Sequence, residues 1–306
     1  MAIELELTCL ASGLQFPEGP VLLPDGSLLL TEIQRGTLSR ITPQGEVQVV
    51  AELGGGPNGV AIGPDGAAYV TNNGGSFRFH AVDGLNIPGA TPPEHQGGSI
   101  QRVDLATGEV RTLYTHCEGQ RLIGPNDLVF DRQGGFWFTD HGCGNEHSRQ
   151  FGGLYYALPD GSRIVRAGPP LLAPNGVGLS PDEKVVYVAD TYLGRLWAFD
   201  VLSPGVVQTV SPFQPARVVA NLPGCQFLDS LAVQADGKVC VATILNGGIT
   251  VFDPATGQTE HAAVPDLVCT NLCFGGPDGR DVWITASGTG KVYRTRWPSP
   301  GLKLNF

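Results

Sequence analysis

Apolar runs follow a polar residue at six places along the chain. In each copy a polar residue opens a run of strand type, a turn follows about seven residues later, and a second apolar run comes next. The copies read EGPVLLPDGSLLLTE, NGVAIGPDGAAYVTN, NDLVFDRQGGFWFTD, NGVGLSPDEKVVYVAD, DSLAVQADGKVCVAT and NLCFGGPDGRDVWITA. The turn is chiefly Asp-Gly or Gln-Gly, and Asp-Gly between two strand-like runs is a strong hairpin signal. Each copy therefore predicts a strand, a turn and a second strand.

Further runs of strand type follow most copies and extend each hairpin to about four strands. They cover residues 36–50, 98–114, 153–167, 194–201 and 247–262. The copies open near residues 18, 58, 126, 175, 229 and 271, and no helical periodicity of any length is present. The sequence predicts an all-β, six-bladed β-propeller, with four-stranded antiparallel blades around a central channel and a single domain over residues 1–306. We expect residues 3–9 to pair near 291–297 and close the ring.

Composition agrees with many short strands joined by tight turns. The 306 residues include 43 Gly and 24 Pro, and 42% of the chain is hydrophobic, which is too much for a disordered protein. The net charge of -10 and the lack of any Lys/Arg run argue against nucleic-acid binding. No apolar run approaches the length of a membrane span, and the N-terminus lacks a signal-peptide pattern, so we expect a cytoplasmic protein with no membrane partner.

The polar residue that opens each copy is the candidate for chemistry. Innermost propeller strands line the channel, so equivalent residues at one strand end form a ring. The ring predicted here consists of Glu18, Asn58, Asn126, Asn175, Asp229 and Asn271. Converging carboxylate and carboxamide oxygens suit a hard divalent cation, whereas a preference of Asn and Asp for turns is the alternative explanation. Turn preference does not explain Glu18.

The chain resembles the SMP-30/gluconolactonase/luciferin-regenerating-enzyme family of six-bladed propellers over essentially its whole length. The motifs that carry the resemblance are FPEGP at 16–20, GPNDLVFD at 124–131, PNGVGLSPDEKVVYVADT at 174–191 and TNLCFGGPDGRDVWIT at 270–285. The resemblance implies one divalent cation in the channel, with Glu18, Asn126, Asn175 and Asp229 as its ligands. All-oxygen ligands favour Ca²⁺, while Mg²⁺, Mn²⁺, Fe²⁺ and Zn²⁺ also suit such a site.

The function predicted from these residues is a divalent-metal-dependent lactonase. A cation with open positions can polarise a lactone carbonyl and activate a water, and Asp229 is the first candidate for general base. Asp127 is the second candidate, and holding a ligand Asn in place is its alternative role. A phosphotriesterase-like hydrolase using the same site and a non-enzymatic ligand-binding propeller are the competing interpretations.

Substrate selection is expected in two excursions between strands. Residues 72–98, rich in Gly and Pro, carry Phe77 and His80, and a long loop in a compact domain is usually functional. A surface excursion or an oligomer contact is the alternative for this loop. The second excursion, residues 140–153, carries His141, whereas His147 and Arg149 are expected to be solvated.

The substrate is expected to be a small lactone, either a sugar lactone or a less polar one. Sugar-lactone members of the family often carry an Arg two residues before the Asn at 126, where this chain has Gly124 and Arg121 is the nearest cation. The predicted substrate contacts are Asn58, Phe77, His80, Arg121 and His141.

Overall fold

Six sheets of strands build the molecule. The computed structural model describes residues 2–306, so Met1 of the predicted domain lies outside the described residues. Those residues contain no helix, and therefore none that is long and apolar enough to cross a membrane. The innermost strands of the six sheets contact one another in a closed ring, from blade 1 through blade 6 and back to blade 1. The predicted six-bladed β-propeller is confirmed.

Blades 1 to 3 are built from strands that follow one another in the chain. The strands of blade 1 are Pro17–Leu22, Leu28–Glu32, Thr37–Ile41 and Val47–Glu52. The strands of blade 2 are Pro57–Ile62, Ala68–Asn72, Ser99–Val103 and Val110–Tyr114. The strands of blade 3 are Pro125–Phe130, Phe136–Asp140, Gly153–Ala157 and Ile164–Arg166.

Blades 4 to 6 follow the same plan with additions at their outer edges. The strands of blade 4 are Pro174–Leu179, Val185–Asp190, Arg195–Ser203 and Arg217–Asn221, with Val206–Val207 also paired to the third. The strands of blade 5 are Phe227–Val233, Val239–Ile244, Gly248–Phe252, Thr259–Ala263 and Ala2–Ile3. The strands of blade 6 are Cys269–Gly275, Asp281–Ala286, Lys291–Arg296 and Thr8–Ser12.

Blade 6 joins the two ends of the chain. Thr8–Ser12 pairs antiparallel with Lys291–Arg296. The expected pairing of residues 3–9 with 291–297 is thus found for Thr8 and Cys9, whereas Ala2–Ile3 lies parallel to Thr259–Ala263 in blade 5. A blade shared between the first and last strands closes the ring without leaving a sheet face exposed.

Three short hairpins lie outside the blades. They pair Phe79–Val82 with Leu85–Pro88, His116–Cys117 with Gln120–Arg121, and Cys143–Gly144 with Arg149–Gln150. The first belongs to residues 73–98, which we name the blade 2 excursion. The third belongs to residues 141–152, which we name the blade 3 excursion. Both excursions leave the end of a second strand, so they emerge on the face of the propeller where the innermost strands begin.

The hydrophobic core is divided among the gaps between neighbouring blades. Between blades 3 and 4, Trp137 and Tyr156 pack with Trp197 and Phe199. Five further clusters fill the other gaps, including the one between blades 6 and 1. Middle strands are therefore buried on both faces, and this is why they are continuous apolar runs in the sequence.

Candidate active site

The six residues predicted to form a ring lie near the beginning of the innermost strands. We call them the polar ring: Glu18, Asn58, Asn126, Asn175, Asp229 and Asn271. All six are buried, with exposures between 2% and 8%. In every blade the pairing of the first strand with the second shifts register beside this residue, as between Glu18 and Val21. Irregularities of this kind release a residue from regular pairing and re-aim its side chain.

Glu18 of blade 1 contacts the polar ring residue of blade 6. Its Oε2 accepts hydrogen bonds from the Asn271 amide and from the backbone N–H of Gly19, each at 2.7 Å. Burial raises the pKa of Glu18 to about 8, because the charged form loses water; the Asn271 hydrogen bond works against this, and the negative charge of Asp127 adds to it. Glu18 is a buried carboxylate with too little positive charge around it.

Asp229 of blade 5 also has a raised pKa, and for the same main reason. Burial raises its pKa well above the ordinary value, the charge of Glu18 raises it further, and the amide of Asn175 lowers it. Asn175 also donates to the hydroxyl of Thr191 at 3.3 Å and lies 3.4 Å from the Ser230 hydroxyl. The carboxylates of blades 1 and 5 and the amide of blade 4 therefore form one electrostatically linked group.

Two amide oxygens of the polar ring have no hydrogen-bond partner among residues 2–306. They are Oδ1 of Asn58 and Oδ1 of Asn126, and both are buried. A buried polar oxygen without a partner is costly, and native proteins leave few of them. These oxygens are positioned to accept from a ligand, a water or a cation.

The donor set fits a hard divalent cation. Glu18 and Asp229 supply two repelling carboxylates, and Asn126 supplies an unpartnered amide oxygen beside the amide of Asn175. A cation among them would remove the repulsion that otherwise holds protons on the carboxyl groups. Within residues 2–306 no three His, Cys, Asp or Glu side chains form a metal-binding group, so such a site depends on the amides.

Asp127 lies one residue beyond the polar ring, deeper in the channel. Its Oδ1 accepts from the backbone N–H of Leu128 at 2.8 Å. Burial raises its pKa to about 7, while the Leu128 N–H and the Ser230 hydroxyl work against this. A Cβ at Gly59 would lie 2.7 Å from Oδ1, so glycine at 59 leaves the space that this carboxylate occupies.

Threonines of the second strands tie neighbouring blades together behind the polar ring. The hydroxyl of Thr31 donates to the carbonyl of Asn58, Thr71 donates to the carbonyl of Asn126 at 2.5 Å, and Thr139 donates to the carbonyl of Asn175. Each bond runs from one blade to the ring residue of the next. Sequence reasoning missed this set, although Thr recurs beside the last residue of the runs LLLTE, AYVTN and FWFTD.

The last residue of each of these strands holds the segment that precedes a ring residue. Glu32 accepts from the backbone N–H of Gln15 at 2.7 Å, and Asn72 accepts from that of Gly56 at 2.9 Å. Asp140 accepts from the backbone N–H of Gly124 at 2.8 Å. These bonds fix the chain two or three residues before the ring residues Glu18, Asn58 and Asn126.

The blade 2 excursion reaches across blade 1 to blade 6. The backbone N–H of Asn86 donates to the carbonyl of Gly288 at 2.8 Å, and its amide donates to Gln34 at 2.5 Å. The Phe79 ring lies 4.9 Å from that of Phe16, within a small apolar cluster. The excursion therefore covers the Glu18 side of the channel mouth, as a pocket wall would.

An aromatic wall, which consists of Phe77, His141, Tyr192 and Phe227, lies on the other side of the mouth, and the blade 3 excursion contributes His141 to it. The His141 ring lies 6.2 Å from Phe77 and 5.9 Å from Tyr192, and Tyr192 lies 5.5 Å from Phe227. Arg149 is half-buried, with its guanidinium 4.7 Å from the Tyr192 ring centre and bonded to His141. The expectation that Arg149 is solvated is wrong, because the hairpin 143–150 folds it back onto the wall.

Two of the predicted substrate contacts, His80 and Arg121, are exposed, and no hydrogen bond joins them to the polar ring in the described structure. His80 is exposed on the outer side of its hairpin, where strand alternation places it opposite Phe79. Arg121 is exposed and donates to the carbonyl of Gln96 at the base of the blade 2 excursion. Their roles in substrate binding stay predictions.

Gly124 is enclosed by the blade 3 excursion. A Cβ there would lie 2.8 Å from the carbonyl oxygen of Gly142, and the Gly124 carbonyl accepts from the backbone N–H of His141 at 2.8 Å. The excursion therefore leaves no space for a large side chain at 124.

At the opposite end of the channel the innermost strands present apolar side chains. A cavity of about 790 Å³ lies there, lined by later residues of these strands, such as Val60, Leu128 and Leu231. The C-terminal segment 300–306 lines its outer side. Asp127 and Asn271 mark the boundary between this cavity and the polar ring.

Sequence comparison identifies relatives over nearly the whole chain. The model of the family described as "SMP-30/Gluconolactonase/LRE-like region" matches residues 16–288. The gluconolactonase of Zymomonas mobilis is 26% identical over 96% of this chain and 82% of its own length. The lactonase drp35 of Staphylococcus saprophyticus is 31% identical over 83% of this chain and 71% of its own length.

Solved structures share the fold. A gluconolactonase from Xanthomonas campestris is 24% identical, with a TM-score of 0.75 over 96% of this chain and 90% of that chain. A calcium-binding protein, regucalcin, from Agrobacterium tumefaciens is 16% identical, with a TM-score of 0.72 over 99% of both chains.

Proposed function

The chain belongs to the SMP-30/gluconolactonase/LRE-like family, and from this premise we propose that it is a lactonase that opens a small cyclic ester with water. The observation that carries the proposal is the polar ring. Buried carboxylates with raised pKa values and buried amide oxygens without partners meet at the mouth of the channel. A protein that only binds a partner on its outer surface has no need of such a costly group. The lactonases among its relatives support the same reaction.

We propose that Glu18, Asn126, Asn175 and Asp229 hold one divalent cation, with Ca²⁺ favoured by the all-oxygen donor set. The calcium-binding regucalcin of the same fold supports this choice of ion. When bound, such a cation supplies a Lewis acid for the ester carbonyl and lowers the pKa of water. The remaining amide oxygen, that of Asn58, is free to accept from the substrate or from a water.

Asp229 is the proposed general base. Its carboxylate is buried in the polar ring, where it interacts with the charge of Glu18 and the amide of Asn175, and a carboxylate held beside the attacking water can take its proton. Asp229 would take the proton of the attacking water and return it to the alkoxide that leaves when the ring ester opens. The net reaction consumes one lactone and one water and forms one hydroxy acid.

Asp127 is better suited to hold the site in place. Its carboxylate accepts from the Leu128 N–H and approaches Ser230, which in turn lies 3.4 Å from the Asn175 oxygen. A carboxylate bound to groups behind a ligand amide fixes that amide's orientation. We therefore assign Asp127 to positioning and Asp229 to proton transfer.

The proposed substrate is a less polar lactone, not a sugar lactone. The mouth is flanked by Phe77 and Tyr192 on one side and by Phe79 on the other. Aromatic walls favour apolar rings, whereas a polyhydroxylated substrate would need several polar partners at the same places.

A lactone screen with metal-reconstituted protein tests the proposal. Purified protein is stripped with a chelator, reloaded with each divalent ion, and assayed on aromatic, aliphatic and sugar lactones and on phosphotriesters. We expect lactone hydrolysis that depends on the added ion, and a loss on the order of 10²- to 10⁴-fold in Asp229→Asn.

Asp127→Asn serves as the matched control, because it removes a neighbouring buried carboxylate without removing the proposed base. It should retain more activity than Asp229→Asn. Faster turnover of phosphotriesters than of lactones, or an Asp229→Asn variant with wild-type activity, would contradict the proposal.

A further inference from the structure

Arg149 is held by two residues of the aromatic wall, His141 and Tyr192, and by one backbone carbonyl outside it. Its Nε donates to the carbonyl of Leu172 at 2.8 Å, and its Nη2 donates to the carbonyl of His141 at 2.5 Å. Nη2 also lies 3.1 Å from Nδ1 of His141. Arg149 makes no salt bridge to any acidic side chain of residues 2–306. This arginine therefore acts on its neighbours within the wall.

The contact decides where His141 carries its proton. A guanidinium has donors and no acceptor, so Nδ1 of His141 must accept and the ring proton must lie on Nε2. Burial lowers the pKa of His141 to about 3, and the positive charge of Arg149 contributes, although the Gly142 carbonyl works against both. His141 is thus a neutral imidazole with an Nε2–H donor.

Repeat equivalence places His141 at the rim of the channel. His141 follows the last residue of a second strand, as Thr191 does in blade 4. The hydroxyl of Thr191 lies 3.3 Å from the amide of Asn175, a member of the polar ring. His141 occupies the same place in blade 3, beside the strand that carries Asn126. Its ring faces Phe77 and Tyr192.

We infer that Arg149 is a positioning residue that fixes His141 as a neutral hydrogen-bond donor, and that His141 Nε2–H binds an uncharged oxygen of the substrate. Phe77 and Tyr192 then pack against the apolar part of the same molecule. The substrate class is an uncharged lactone with an apolar or aromatic ring. The substrate contact rests on the proposed lactonase function, whereas the fixed tautomer does not.

The contacts of Arg149 favour an uncharged lactone over an anionic one. Two nitrogens of the Arg149 guanidinium are already bonded to protein acceptors, and Tyr192 covers its face. The guanidinium is therefore already engaged with the protein, whereas the neutral Nε2–H of His141 binds a carbonyl or ring oxygen without compensating a charge.

Nitrogen-15 NMR of the histidine rings tests the tautomer directly. The chain has six histidines, and a His141→Phe spectrum assigns the signal that disappears. In the wild type we expect the Nε2–H tautomer with no titration between pH 5 and about 8. Arg149→Met should give a mixture of tautomers, whereas Arg149→Gln, whose amide can still donate to Nδ1, should retain the Nε2–H form. A wild-type Nδ1–H tautomer, or an unchanged tautomer in Arg149→Met, overturns the inference.

A double-mutant cycle tests the substrate contact, with dihydrocoumarin as the uncharged aromatic lactone. His141→Phe should lower kcat/KM on the order of tenfold or more, mainly through KM. Arg149→Met should cost less, and the double variant should be no worse than His141→Phe, because Arg149 acts through His141. Additive losses overturn the positioning role.

Different results would overturn the lactonase function, the His141 contact and the tautomer. If the wild type hydrolyses no lactone, the proposed function fails and the substrate contact with it, while the NMR result still decides the tautomer. If lactones are hydrolysed but His141→Phe retains wild-type KM for dihydrocoumarin, the lactonase stands and the His141 contact is wrong. Arg111→Gln, which changes an exposed cation in the outer strand of blade 2, should leave both readouts unchanged.

Discussion

The two ends of the channel are built from the same six strands and differ in almost every property. At the entrance the polar ring gathers carboxylates and amides that lack enough partners. At the far end the same strands present Val60, Leu128 and Leu231 to a cavity beside the segment 300–306. The entrance is thus costly for the fold, whereas the strand residues at the far end are apolar and carry no such cost. Residues kept at a cost to stability indicate the place of function.

Removing one carboxylate from the polar ring should have the largest effect, because it changes both cation binding and the stability of the metal-free protein. Glu18→Gln is expected to weaken cation binding and to lower activity by about 100-fold or more. The same change should stabilise the metal-free protein above pH 8, because a repelling buried carboxylate is gone. Calorimetric unfolding in chelator, with and without added Ca²⁺, measures both effects.

The sign of the pH dependence follows from the raised pKa of Glu18. Folding moves this pKa from 4.5 to about 8, so its contribution to stability is present below about pH 4.5 and is lost as pH rises through 8. Metal-free wild type should lose on the order of a few kcal/mol over this window relative to Glu18→Gln. If the unfolding free energies of the two proteins had parallel pH profiles, the pKa of Glu18 would not be raised by folding.

Removing one of the threonine hydrogen bonds that join neighbouring blades behind the polar ring should give an intermediate effect. Thr139→Val removes the hydroxyl that donates to the Asn175 carbonyl between blades 3 and 4. We expect a loss of about 1–2 kcal/mol in unfolding free energy and weaker cation binding, because the Asn175 backbone is released. Urea denaturation and calorimetric titration with Ca²⁺ measure the two.

Thr295 is the matched control for Thr139. It is also buried, but its hydroxyl has no hydrogen-bond partner in the described part of the chain. Thr295→Val should therefore be neutral or slightly stabilising and should leave cation binding unchanged. Equal losses in both variants would mean that the tether has no special role.

The smallest effect is expected at the far end of the channel. Asn305 anchors the C-terminal segment by donating to the Phe130 carbonyl at 3.0 Å and to Glu183 at 2.7 Å. Asn305→Ala should lower the unfolding free energy by about 1 kcal/mol and leave kcat/KM within about twofold. A large loss of activity would show that the two ends of the channel act as one site.

The sequence by itself determined the repeat, and the repeat determined the fold. Each copy carries its own hairpin signal, because turn chemistry and apolar runs act over a few residues. Six such copies can bury their faces only against one another, so the propeller and the positions of its ring residues, from Glu18 to Asn271, follow without tertiary information.

Only the tertiary structure decided which polar residues meet across blades. The Thr139 tether, the approach of Asp127 to Gly59 and the contact of Arg149 with His141 join residues that no local pattern relates. The two excursions lie outside the repeated strand pattern, so the repeat does not predict their structure. From the polar sequence around it, Arg149 cannot be distinguished from a solvated cation. Its role emerges because the hairpin 143–150 folds it against the aromatic wall, where burial and hydrogen-bond geometry fix both side chains.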